Sequence, residues 1–76
     1  MKTIHIGVVE HRHGTNVYAG GTIEELKAKV LEYVEDNAEL EKVTFAEGMT
    51  GDDKIAHYFN AVEDESCLMD RDDIAD

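Results

Sequence analysis

A chain of 76 residues with 18 Asp and Glu against 7 Lys and Arg carries a formal net charge of -11. That balance argues against direct contact with nucleic acid or anionic membranes and favours basic partners. The length allows one small domain, residues 1–76, burying about 60% of the surface its unfolded chain exposes, and a hydrophobic content of 42% is enough to build a core.

The single cysteine, Cys67, excludes an internal disulfide and fits a reducing compartment. No apolar run approaches the ~18 residues of a membrane span. Met1-Lys2-Thr3-Ile4-His5 lacks the charged and apolar blocks of a signal peptide. A soluble, cytoplasmic protein is expected. Residues 1–20 hold Lys2 and Arg12 against Glu10, a net of +1, which leaves -12 on the remainder.

In chain order, Ile4, Ile6 and Val8 alternate with His5, Gly7, Val9 and His11, predicting a half-buried strand from Lys2 to Arg12. His13-Gly14 is a turn signal, and Thr15 to Ala19 returns as a second strand. A two-residue loop at His13-Gly14 puts Val17 and Ala19 on the Ile4, Ile6 and Val8 face, which is expected to carry the helix. Thr22-Ile23-Glu24-Glu25 has the pattern of a capping box and starts a helix to about Asn37. Ile23, Leu26, Val30, Tyr33 and Val34 form its apolar stripe; Glu24, Glu25, Glu32, Glu35 and Asp36 lie opposite.

Val43-Thr44-Phe45 is compatible with a short strand between loop residues. Thr50-Gly51-Asp52-Asp53 opens a second short helix, with Ile55, Tyr58, Phe59 and Val62 at helical spacing. Ser66-Cys67-Leu68-Met69-Asp70 is short enough to be a third strand or a helical turn, and the strand is favoured. From Glu63 to Asp76 seven acids stand against one base, so residues 70–76 are expected to be a mobile acidic tail. The predicted architecture is α+β: an antiparallel hairpin, extended to three strands, packed against one amphipathic helix, with a second short helix.

Three features bear on chemistry. His11 and His13, two apart on a strand, point the same way about 7 Å apart and are candidate metal ligands. His5 lies about 20 Å away along the strand and supplies no third ligand. With Arg12 between them the two imidazoles also suit a small anion, more so when protonated. Cys67 sits near Glu65 and Asp70, which disfavour a thiolate and a nucleophilic role. No catalytic triad, phosphate-binding loop or CxxC pair is present, so neither an enzyme nor a cofactor is expected. The acids themselves are the third feature. Asp70-Arg71-Asp72-Asp73 lacks the spacing of a calcium loop. Carboxylates at 24, 25, 32, 35 and 36 span about 18 Å of helix, a lower linear density than the one charge per about 1.7 Å of duplex DNA but of the same order when a second acidic element, the stretch from Glu63 or Asp52 and Asp53, lies alongside.

Glu10-His11-Arg12-His13-Gly14-Thr15-Asn16-Val17-Tyr18, followed by a capped helix, Tyr58-Phe59 and Glu65-Ser66, resembles short uncharacterised proteins encoded by bacteriophages and other mobile elements. In size and acidity the chain is also similar to anti-CRISPR and other anti-defence inhibitors, several of which mimic DNA or plug basic grooves. That resemblance implies a non-enzymatic inhibitor in a host bacterial cell, binding a basic surface of a nucleic-acid-binding complex. Glu24, Glu32, Glu35, Asp36, Asp64 and Glu65 are the leading expected contacts, with Glu25, Asp52 and Asp53 beside them. Two other expectations are a metal- or anion-binding module built on His11 and His13, and a homodimer formed through an exposed strand edge.

Overall fold

A computed structural model describes residues 2–74. Strands β1 (Lys2–His11) and β2 (Gly14–Gly20), helices α1 (Ile23–Ala38) and α2 (Gly51–Ala61), and strand β3 (Ser66–Ile74) follow in that order. The strands form one antiparallel sheet ordered β2-β1-β3, so the fold is α+β and the third strand begins at Ser66. Residues 70–74 are not a tail. They pair along β1, with Asp70 opposite Ile6 and Asp72 opposite Ile4, because an edge strand tolerates charged side chains that reach water. Ala75 and Asp76, the rest of the expected tail, lie outside the described residues.

β1 and β2 join through Arg12-His13, with His11 opposite Gly14 and Val8 opposite Val17. The loop thus sits one residue earlier than expected, and Gly14 opens β2 at φ +142, a conformation that suits glycine. The register moves by two residues, which keeps Val17 and Ala19 on the Ile4, Ile6 and Val8 face.

That face, however, does not receive the helix. α1 lies on the opposite side, over Gly7, Val9 and Gly20, which are buried, while Val17 and Leu68 on the expected face are 67% and 69% exposed. The reason is steric. A Cβ at Gly7 would lie 3.1 Å from Leu26 Cδ1, and one at Gly20 only 2.8 Å from the Leu26 backbone nitrogen. Two positions without side chains let the helix come close enough for Leu26, Val30 and Val34 to be fully buried. Tyr18, Cys67 and Met69 flank them on the same side of the sheet.

The α1 stripe is as the spacing predicts, with Leu26, Val30, Val34 and Ala38 buried and Ile23 and Tyr33 at its margins. Thr22 caps it by accepting the Glu25 N–H at 3.1 Å, whereas the Glu25 carboxylate reaches past Thr22 to the Gly21 N–H at 2.9 Å. α2 starts with a complete capping box: Thr50 accepts from the Asp53 N–H, and the Asp53 carboxylate from the Thr50 N–H. Tyr58 and Val62 enter the core.

Residues 43–45 form no strand. Val43 donates its N–H to Ala38 O at 2.8 Å, past Lys42 at φ +57, and Val43 and Phe45 lean on the core. Their apolar character serves packing instead of pairing. The His57 ring holds the connector through the Thr44 carbonyl at 3.0 Å.

Candidate functional site

The carboxylates expected to meet a partner fall into distinct environments. Glu24, Glu32 and Asp36 are exposed on α1, and their spacing in steps of four or eight residues aligns them on one face. Among the described residues no Lys or Arg pairs with them. Both lysines of α1 turn to its margins: Lys27 grips Asp52 at 3.0 Å, and Lys29 donates to the Ala19 carbonyl. Glu35 is exposed but approaches Lys54 at 3.6 Å. Glu25 and Asp53 are helix caps, and Asp64 is exposed in the turn after α2.

Glu65 is the correction among them. It is 7% exposed and therefore no surface contact. The turn closed by Glu65 N–H to Val62 O points its side chain inward, between the two helices. There Oε1 accepts from the Tyr33 hydroxyl at 2.6 Å and the Tyr58 hydroxyl at 2.8 Å. A buried phenol needs a partner for its O–H, and one carboxylate oxygen serves both. Glu65 thus joins α1, α2 and the start of β3.

Burial pushes both phenols up from their ordinary value of 10.0, and the hydrogen bond to the Glu65 carboxylate pushes them further. Raised folded-state pKa values mean that the protonated phenols favour the folded chain. Their contribution is complete below about pH 10 and is lost as pH climbs past the unfolded value, where the unfolded chain binds fewer protons. Tyrosinate absorbance from Tyr33 and Tyr58 is expected to rise only together with the loss of helical circular dichroism. Ionisation of either phenol in a chain that is still fully folded would contradict this.

A cleft of about 460 Å³ opens beside this pair, lined by His11, Arg12, His13, Asn37, Glu41 and Glu65 among others. His11 stacks on Tyr33 with ring centroids 6.1 Å apart. Its Nδ1 accepts the His13 N–H at 3.2 Å, which leaves Nε2 as the donor to Asn16 Oδ1 at 3.3 Å; Asn16 in turn donates to the Tyr18 hydroxyl at 3.1 Å. One neutral tautomer satisfies the whole chain. His11 and His13 do stand close, with ring centroids 6.3 Å apart, yet among the described residues no group of three or more His, Cys, Asp or Glu is arranged to hold a metal ion. Nor is the loop tip a free cation: Arg12 pairs with Glu41 at 3.2 Å, and Glu65 adds a second carboxylate to the same cleft. Anion capture by His11 and His13 is opposed by both.

Cys67 is half-buried, and burial pushes its thiol up, which favours the inert protonated form. No helix among the described residues is long and apolar enough to cross a membrane.

No family model, curated protein or solved structure matches the chain. The polar cluster was hidden in the sequence because its members are scattered over residues 11–65. The one available signal was that Tyr33 and Tyr58 occupy apolar stripes while carrying hydroxyls that need an acceptor.

Proposed function

We propose that the chain is a non-enzymatic inhibitor that occupies a basic, nucleic-acid-binding surface of a host defence complex, in the manner of phage anti-defence proteins, with the outer face of α1 as the contact. The observation that supports it most directly is the row of Glu24, Glu32 and Asp36. These carboxylates sit on a rigid helix whose lysines are drawn to its edges by Asp52 and the Ala19 carbonyl. The helix fixes where these anions leave the backbone, so binding has only their side-chain rotamers to order. Glu35 and Asp64 extend the field at the margins of the row. The row covers about 18 Å, enough to face several of the cations that normally hold one strand of a duplex.

The test is capture from a bacterial lysate treated with nuclease, followed by elution in rising salt. An electrostatic mimic loses affinity steeply as salt rises. The triple charge reversal E24K/E32K/D36K is expected to weaken binding to the captured partner by at least about tenfold with unchanged circular dichroism, because all three side chains are exposed and Glu24, in the first turn of α1, contributes there no more than about 1 kcal/mol. Equal affinity at low and high salt, or full binding by the triple variant, would sink the proposal.

A further inference from the structure

The face of the sheet that α1 leaves bare is apolar. Ile4, Ile6 and Val8 of β1, Val17 and Ala19 of β2, and Leu68 of β3 all lie on it, since residues directly opposite one another in a sheet share a face. Val17 and Leu68 are both register partners of Val8, so the three form one row straight across the sheet. The charges on this side are Lys2 and Glu10 at the ends of β1 and, on the outer strand β3, Asp70 and Asp72, which stand directly opposite Ile6 and Ile4, so the apolar part of the face is β1, β2 and Leu68.

We infer that this face is the interface of a homodimer in which two sheets pack face to face. The first ground is area. A folded monomer of 8.5 kDa is expected to expose about 4,650 Å². This chain exposes 5301 Å², an excess of about 650 Å², close to the ~800 Å² that each partner contributes to a standard interface. Its radius of gyration, 13.1 Å, likewise exceeds the ~11.4 Å of a compact chain of this length. Both excesses run in the direction expected of a two-layer fold with one sheet face open.

The second ground is symmetry. A two-fold axis running along β1 lays the row Val17-Val8-Leu68 of one copy over Leu68-Val8-Val17 of the other. Val17 and Leu68, 67% and 69% exposed, then cover each other, as an isologous interface requires, and the aligned packing of two twisted sheets accommodates the arrangement. The acidic face of α1 lies on the far side of the sheet. The dimer therefore leaves it open, and this inference does not rest on the proposed function.

Sedimentation equilibrium of the full chain is expected to give the mass of two chains at about 100 μM and to show dissociation on dilution. Leu68→Asp and Val17→Lys, each present twice in the dimer, should raise its dissociation constant about 30-fold or more. The wild-type chain offers a readout that needs no variant. In the dimer the methyl resonances of Ile4, Ile6, Val8 and Leu68 are shielded from a water-soluble paramagnetic agent; in the monomer they are bleached by it. A chain that is monomeric at that concentration overturns the inference. So does a dimer indifferent to both substitutions with its sheet methyls still bleached, which would place the contact on a strand edge instead.

Discussion

Glu65→Ala is expected to cost about 3–5 kcal/mol of stability, because it removes the acceptor shared by the buried Tyr58 phenol and the half-buried Tyr33 phenol. Small domains hold about 0.05–0.15 kcal/mol per residue, so the loss is at least about a quarter of all the stability this chain has. The melting temperature should fall by more than about 12 °C. Glu65→Gln keeps a carbonyl oxygen in the same place and should cost only about 1–2 kcal/mol, the difference between a charged and a neutral acceptor. The triple change Y33F/Y58F/E65L removes donors and acceptor together and is expected to recover most of what Glu65→Ala loses. Urea titration of the four chains checks the series. A Glu65→Ala chain within about 1 kcal/mol of wild type would show that the buried carboxylate does not hold the helices to the sheet.

Gly20→Ala is the second large effect, and its cause is backbone contact instead of lost hydrogen bonding. The added methyl would meet the Leu26 backbone nitrogen at 2.8 Å and Glu25 Cβ at 2.9 Å. Neither belongs to the flexible end of a side chain, so the first turn of α1 must lift off the sheet. That motion strains the Leu26 N–H to Thr22 O bond and opens the packing of Leu26. The expected cost is about 3 kcal/mol, measured as a lower urea midpoint at unchanged slope. Gly7→Ala is the internal comparison. Its nearest neighbour is Leu26 Cδ1 at 3.1 Å, a side-chain tip that can shift, so its cost should be clearly smaller. Equal costs at the two positions would contradict the steric account.

Helices and strands were legible in the sequence because their signals are local. The Leu26, Val30 and Val34 stripe, the Thr22 and Thr50 caps, and the alternation from Ile4 to Val9 each need only a few neighbouring residues. The choice between the two faces of the hairpin was not legible. Hydrophobicity favours Ile4, Ile6 and Val8, whereas close approach of a helix favours the glycine-bearing face, and a small apolar residue such as Gly7 gives no signal of how near its neighbour comes. The acidic row survives from sequence to structure, since Glu24, Glu32 and Asp36 follow from helix periodicity alone. Glu65 does not. In a run with Glu63 and Asp64 it looks like one more solvated acid, and only the turn after Val62 turns it inward toward Tyr33 and Tyr58. The loss of the expected strand at residues 43–45 has the same origin: apolar residues report burial, and burial does not specify a pairing partner.

The acidic residues of β3 have a further consequence, for how copies of the sheet meet one another at high concentration. A sheet with two outer strands presents open backbone donors and acceptors on both sides, which is how ordered aggregates recruit further chains. Asp70, Arg71, Asp72 and Asp73 occupy one of those outer strands, and a copy docking there in parallel register would set like charge directly against like charge. The same carboxylates that raise the chain's net charge thus act locally as a guard against uncontrolled growth of the sheet.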